Sequence, residues 1–209
     1  MKSTLVLRPA ALLLAGLLAA CASPAPPPAL YQLRSAPPVP VPVPVPVSVS
    51  VQTVATPQQV LQLQLLLPVA LPEALQRDAV LLPQGQAGVQ ALAGHRWAEP
   101  LADAVPRLLR QDLAALLGEA RVWAAPLPAG ITITRQCRVE ILSLMATPDR
   151  AAVVLQARWT LSDPTGRNAP AVMTTQISAP SAGPDVDALV SAHRLALWRL
   201  AEQVAQTVK

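Results

Sequence analysis

The chain has 209 residues, 52% of them hydrophobic, and a formal net charge of +4. Because Lys2 and Arg8 lie in the first 20 residues, the remainder holds 14 cations and 12 carboxylates, a net charge of +2. Such a balance excludes nucleic-acid binding, which needs clustered cations to meet many phosphates. The length suits one domain of moderate size, and with no Phe and one Tyr its core must be mainly aliphatic.

The first 21 residues have the pattern of an export signal. A basic start is followed by an apolar run of ten residues, 9–18. A membrane-spanning helix needs about twenty such residues, so residues 1–20 are predicted to be a signal peptide that is removed. Leu18-Ala19-Ala20-Cys21 resembles the bacterial lipobox, in which the cysteine thiol receives a diacylglyceryl group and the new N-terminus is acylated. The alternative is an ordinary signal peptide with a chance cysteine.

Lipidation of Cys21 would fix the protein to a membrane, because two or more acyl chains hold a protein stably. The next residue is Ala22 rather than the Asp that marks inner-membrane retention, so the resemblance implies the outer membrane, on its periplasmic face. Cys137 would then have no cysteine to pair with. It is predicted to be a small buried hydrophobe rather than a nucleophile, since no histidine lies near it in the sequence.

Residues 21–57 are predicted to be the lipidated cysteine and a Pro-rich tether. Eleven of the 24 prolines lie here, and Val39–Val47 alternates valine with proline. This favours a semi-rigid polyproline II spacer of about 3.1 Å per residue that holds the domain clear of the lipid head groups. A Pro-rich ligand is the less favoured alternative, because no Lys or Arg flanks the repeat. Residues 31–33 interrupt the tether, either packing back onto the domain or forming a small apolar contact.

Residues 58–209 are predicted to form the folded domain. Residues 60–67 alternate leucine with glutamine, which predicts a strand that buries Leu61, Leu63, Leu65 and Leu67 and ends at Pro68. A turn and a short strand over 79–82 follow. Three glycines between 85 and 94 then predict a loop.

Two amphipathic helices are predicted. The first covers 98–117, with Asp112 as the one polar residue in its apolar stripe and Gly118 as its C-terminal stop. Pro106 predicts either a kink or a later start. The second helix covers 184–208 and closes the chain.

Between the helices, strands over 131–145, 151–161 and 171–177 are predicted to form an antiparallel meander. A short strand near 121–123 could join the same sheet. The predicted fold class is therefore α+β, a two-layer sandwich of a mostly antiparallel sheet with two main helices on one face.

No catalytic pattern is evident. His95 and His193 lack metal-ligand spacing, and neither a nucleophile elbow nor a phosphate-binding glycine loop is present. His193 falls on the apolar stripe of the second helix, where a core histidine is expected. The sequence predicts a protein that is not an enzyme and that has no metal or cofactor.

Two short motifs carry a family resemblance. Leu71-Pro-Glu-Ala-Leu75 follows the first strand of the domain, and Trp97-Ala-Glu-Pro-Leu101 opens a helix. Their order after a lipobox and a Pro-rich tether resembles the PqiC-type ABC-transport auxiliary lipoproteins over residues 60–207. The chain departs from that pattern at Ala74 and Gln76.

The resemblance implies an outer-membrane subunit that works with an MCE-domain membrane protein in lipid transport between the two membranes and so supports envelope integrity. Trp97, Glu99 and Leu101 are candidate partner contacts. The structural alternative makes Trp97 a wedge at the start of the helix and Glu99 a charge near its positive end. The sequence is also compatible with a homo-oligomer. An assembly factor or chaperone for lipopolysaccharide or barrel insertion is the alternative function, and an envelope hydrolase lacks a visible nucleophile.

Overall fold

A computed structural model describes residues 26–36, Pro38 and residues 61–208. Cys21 and the Val-Pro repeat lie outside these residues. The described part holds eight strands and two α-helices, which are β1 (Ala29–Tyr31), β2 (Leu63–Ala70), β3 (Ala79–Gln84), β4 (Gly88–Trp97), α1 (Leu101–Leu117), β5 (Val122–Trp123), β6 (Arg135–Ala146), β7 (Ala152–Ser162), β8 (Ala171–Pro180) and α2 (Val186–Val208).

The larger sheet has the order β5-β2-β6-β7-β8. Strands β6, β7 and β8 form the predicted antiparallel meander, whereas β2 lies parallel to both β5 and β6. Along β7, Val153, Leu155 and Ala157 are buried, while Gln156 and Arg158 are exposed. Both helices contact the sheet and each other, so the helices cover one face of it. The predicted α+β class is confirmed.

The smaller sheet has the order β1-β4-β3 and corrects the predicted loop over 85–94. Residues 88–97 instead form β4, which pairs antiparallel with β3 and parallel with β1. The prediction was wrong because most side chains of β4 are exposed, so the strand shows no one-sided apolar pattern. A Cβ at Gly88 would lie 2.7 Å from the Gln84 carbonyl oxygen, so this glycine is needed for the close approach of the two chains at the turn.

Strand β2 is shifted three residues along the chain from its predicted bounds of 60–67, and it passes through Pro68. Leu63 and Leu65 are buried as expected, but Leu67 is 49% exposed and Val69 takes the inward position. The pairing of β2 with β6 shifts register between Leu66 and Ala70, and this local irregularity coincides with the one odd-numbered position of the strand, Leu67, that is exposed. The predicted burial of Leu67 is therefore wrong.

The first helix begins at Leu101, three residues later than its predicted start at 98, and continues through Pro106. Pro106 lies inside the helix, so the alternative of a start late enough to place this proline in the first turn is wrong. Helix α2 begins at Val186, and the Asp185 carboxylate accepts a hydrogen bond from the Ala188 backbone N–H at 2.8 Å. The predicted apolar stripe of each helix faces the core.

Replacing Gly118 with alanine is expected to lower the free energy of unfolding by about 1–3 kcal/mol. Gly118 ends α1 with φ of 107° and ψ of 135°, a backbone conformation that strains a residue with a side chain. Its N–H donates to the Ala114 carbonyl oxygen at 2.8 Å, so the position is fixed. Urea unfolding would measure the loss, and an unchanged midpoint and slope would contradict the strain argument.

Candidate functional site: the clamp on the N-terminal strap

Residues 26–36, here called the N-terminal strap, run over the surface of the domain. Strand β1 pairs with β4 from Ala29 beside His95 to Tyr31 beside Trp97, and the Ala98 N–H donates to the Tyr31 carbonyl oxygen at 2.7 Å. Leu33 is only 1% exposed and belongs to the hydrophobic core. For residues 31–33, the alternative in which they pack back onto the domain is confirmed. Residues 29–36 therefore belong to the fold rather than to a free tether.

A buried ion pair between the two helices binds the strap on the side that faces the core. The Arg194 guanidinium on α2 donates to both carboxylate oxygens of Asp112 on α1, at 2.8 and 2.5 Å. The Arg194 and Asp112 side chains are 5% and 1% exposed. Nε of Arg194 also donates to the backbone carbonyl oxygen of Arg34 in the strap at 2.7 Å. One cation thus joins both helices to the N-terminal segment, and we call this arrangement the clamp.

The charge balance inside the clamp depends on burial. Burial raises the pKa of Asp112 from 3.8 to about 6, and the hydrogen bonds and charge of Arg194 oppose that rise. Asp112 is therefore ionised at pH 7 and paired with Arg194. The sequence indicated Asp112 as a polar exception, but it did not reveal Arg194 as the partner, because the two residues are 82 positions apart.

A second, outer group of polar contacts fixes the strap at the surface. Arg107 pairs with Glu99, and its Nη1 donates to the Ser35 hydroxyl at 2.9 Å. The Tyr31 hydroxyl and His95 Nδ1 are 2.9 Å apart and share a hydrogen bond. These contacts are partly exposed, so each contributes less to stability than the buried clamp.

The three predicted partner contacts lie beside this strap. Trp97 is 7% exposed and packs edge-on against His193, with ring centroids 5.5 Å apart. Leu101 is 2% exposed and starts α1 in the core. Glu99 alone is partly exposed, and its carboxylate binds Arg107. The positions of Trp97 and Glu99 agree with their structural alternatives, and contact of the three residues with a partner stays a prediction.

A shallow cavity of about 350 Å³ separates the strap from the start of α2. Strap residues on one side face α2 residues on the other, with charged groups from both. The lining residues are Gln32, Arg34, Ala36, Pro38, Asp187, Val190, Ser191 and Arg194. A hydroxyl group, of Ser191, and a carboxylate, of Asp187, are among the lining residues, with no cysteine or histidine beside them.

Two further side chains that could take part in a reaction, His193 and Cys137, are buried. His193 Nδ1 bonds to the Leu189 carbonyl oxygen at 2.7 Å, and burial lowers the pKa of His193, so its ring is neutral at pH 7. The interpretation of His193 as a core histidine is confirmed by its 4% exposure. Within residues 26–36 and 61–208, no group of three or more His, Cys, Asp or Glu side chains is placed to hold a metal ion.

Cys137 is expected to resist thiol reagents in the folded protein and to react at once after denaturation. It is a free cysteine with no exposed surface, and burial raises the pKa of its thiol to about 12, so almost no thiolate exists at pH 7. Absorbance with a chromogenic disulfide reagent, with and without urea, would measure this. Rapid native labelling would contradict the placement of Cys137 in the core.

None of the helices that the structure describes has the length and apolar character needed to cross a bilayer.

Comparison with solved structures identifies the class of fold. An uncharacterised protein is 18% identical over 71% of this chain and 92% of its own, with a TM-score of 0.61. Protein XCC0632 from Xanthomonas campestris is 15% identical over 69% of this chain and 81% of its own, with a TM-score of 0.57. At these identities the likeness shows the fold alone. No curated protein sequence matches the chain.

The sequence itself identifies the family. The family model described as the ABC-type transport auxiliary lipoprotein component matches residues 45–205. The chain belongs to this family, which confirms the resemblance carried by the Leu71–Leu75 and Trp97–Leu101 motifs.

Proposed function

We propose that this protein is a non-catalytic outer-membrane lipoprotein subunit of an MCE-type ABC transport system that moves lipids between the inner and outer membranes. The family match over residues 45–205 carries the proposal, because it assigns the chain to auxiliary components of ABC-type transport. The Leu-Ala-Ala-Cys sequence supports acylation of Cys21, and Ala22 supports sorting to the outer membrane. Anchored there, the domain faces the periplasm and supports envelope integrity.

A structural rather than a chemical task fits the arrangement of the described residues. Cys137 and His193 are both buried. The buried ion pair of the clamp, Arg194 and Asp112, binds the strap through the Arg34 carbonyl oxygen. We therefore infer that the protein contributes position and contact surface to the transporter, and that chemical energy enters through the ABC-type components of the system.

Co-purification from crosslinked cell envelopes tests the proposal. The tagged full-length lipoprotein is expected to capture an MCE-domain membrane protein, and mass spectrometry of the processed chain is expected to find acyl groups on Cys21. A Cys21→Ser variant serves as the control, because it keeps the domain but loses the anchor. Capture of no MCE-domain protein, or an unacylated wild-type chain, would contradict the proposal.

A deletion strain separates the proposed function from the alternative of an assembly factor. Loss of a transport subunit is expected to weaken the envelope while leaving lipopolysaccharide and barrel proteins at the surface. Loss of an assembly factor would deplete one of them, and that result would favour the alternative.

A further inference from the structure

Strand β8 differs from the other edge strands of the two sheets that the structure describes. The strand orders leave four edges, at β1, β3, β5 and β8. Proteins usually discourage pairing at an edge with short strands, prolines, bulges or charged side chains. Strands β1 and β5 have three and two residues, and β3 contains Pro83 and a register shift in its pairing with β4. Strand β8 has ten residues, no charged side chain, no register shift against β7, and a proline only at its last position.

The open edge of β8 presents backbone hydrogen-bonding groups. The Ser181 N–H donates to the Ala151 carbonyl oxygen at 2.8 Å, so the odd-numbered residues of β8 direct their N–H and C=O groups toward β7. Because these groups alternate in direction along a strand, those of Val172, Thr174 and Gln176 point to the open side. Such an edge is completed by another extended chain, which pairs with it through its own backbone.

Helix α2 limits the open part of this edge to residues 171–177. Arg199 Nη1 donates to the Ser178 carbonyl oxygen at 2.6 Å and so occupies the outward acceptor at that end. Beside it, a groove of about 430 Å³ lies between β8 and α2. The groove is lined by one cation, Arg199, and one carboxylate, Glu202, together with uncharged residues. A strand added to this edge would therefore meet no excess of either charge.

We propose that residues 171–177 of β8 pair with the same residues of a second copy of this chain, antiparallel and about a two-fold axis. In a contact of this symmetry the same strand lies on both sides, so a charged side chain would meet a like charge near the axis. Strand β8 has no charged side chain and the groove beside it is balanced, so this edge is complementary in charge to its own copy. The outward groups of Thr174 and its neighbours then join the two five-stranded sheets.

The opposite edge of the larger sheet favours a dimer over a chain of many copies. Its edge strand, β5, has only two residues and offers little backbone for the β8 strand of a further copy. A contact of β8 with β8 uses the same surface on both copies and is therefore closed. The pairing does not depend on acylation of Cys21, so the inference is independent of the proposed function.

Crosslinking at single cysteines tests this contact. The full-length Cys21→Ser chain with Thr174→Cys is treated with a short bismaleimide, and Cys137 is buried, so the Cys21→Ser parent gives the background. Gln156→Cys is the matched control, because Gln156 is exposed and lies opposite Gln176 on β7, one strand further from the axis. Three strand spacings, at least about 14 Å, separate the two copies of position 156 in the dimer. Dimer yield is expected to be several-fold higher at position 174 than at position 156.

Sedimentation equilibrium measures the association of the same Cys21→Ser chain. Thr174→Lys is expected to raise the dissociation constant of the dimer at least about tenfold, because two ammonium groups then approach each other near the axis. Gln156→Lys is expected to change it by less than about twofold, since this position lies away from the contact. Circular dichroism establishes that both variants are folded.

Three results would overturn the inference. The first is a monomer at every concentration, or equal crosslinking at positions 174 and 156. The second is slow hydrogen exchange of the Thr174 N–H in a dilute, monomeric sample, because residues 39–60 of the same chain would then cover the edge. The third is a crosslink in cell envelopes from position 174 only to a different protein, which would assign the edge to that partner.

Discussion

Replacing Arg194 with methionine is expected to lower the free energy of unfolding by about 3–5 kcal/mol at pH 7. The replacement fills a similar volume, but it leaves the Asp112 carboxylate buried without its partner and removes the hydrogen bond to the Arg34 carbonyl oxygen. An uncompensated buried charge is among the largest single sources of instability in a protein. Urea unfolding followed by circular dichroism would measure the loss.

Arg199→Met is the matched control on the same helix. Arg199 donates to the Ser178 carbonyl oxygen at 2.6 Å, but this bond is exposed and no buried carboxylate depends on it. A loss below about 1 kcal/mol is therefore expected. Equal losses in the two variants would show that the clamp contributes no more than an ordinary surface contact.

The loss caused by Arg194→Met is also expected to be smaller at pH 5 than at pH 7. Burial raises the pKa of Asp112 to about 6 from 3.8, so the folded state binds a proton more readily than the unfolded state between these values. Stability from this group is thus fully present below about pH 4 and is lost as the pH rises through about 6. Without Arg194 the pKa rises further, and protonation relieves more of the buried charge.

A double variant, Asp112→Asn with Arg194→Met, isolates this effect. Asparagine keeps the shape of the side chain but does not titrate, so the double variant is expected to show no extra stabilisation between pH 7 and pH 5. Unfolding curves at the two values would measure it. A loss that grows as the pH falls in the single variant would contradict burial as the main cause of the raised pKa.

Replacing Leu33 with alanine is expected to destabilise the protein by about 2–5 kcal/mol and to release the strap before the rest unfolds. Leu33 is the buried apolar side chain of the described strap. Hydrogen exchange should report the release at the Ala98 N–H, which donates to the Tyr31 carbonyl oxygen.

Leu30→Ala provides a control within the same strap. Leu30 is 65% exposed, so its truncation is expected to change the free energy of unfolding by less than about 0.5 kcal/mol. If Ala98 stays as protected in Leu33→Ala as in Leu30→Ala, the strap is held by its backbone and polar contacts alone, and the prediction for Leu33 is wrong.

The sequence could predict the helices and strands of this fold that bury one face against the core. Helices α1 and α2 and the meander of β6, β7 and β8 show a period of 3.6 or 2 because one side of each meets the core. Strand β4 buries only its last residue, Trp97, so its composition resembled a loop. Strand β1 has three residues, too few for any period to appear.

Of the two residues of the clamp, the sequence could indicate Asp112 but not Arg194. Asp112 is visible as a carboxylate in an apolar stripe, and a buried carboxylate requires a partner. Which cation supplies it depends on how α1 packs on α2, a contact between distant parts of the chain that local pattern does not encode. The Trp97–Leu101 motif, in contrast, could be recognised in the sequence. How deeply Trp97 and Leu101 are buried follows only from the packing of the fold.

The distance that can separate Cys21 from the domain depends on whether the strap is bound to the fold or released. While the clamp is closed, residues 22–28 alone separate Cys21 from the domain, and the Val-Pro repeat lies in a connection whose two ends are both attached to the fold. If the strap came free, residues 22–60 would all count toward the distance, with a limit of roughly 130 Å instead of roughly 25 Å. If Cys21 is acylated as proposed, the repeat would extend the distance between the bilayer and the domain only in the released state, and the contacts of Arg194 and Leu33 with the fold would control that distance.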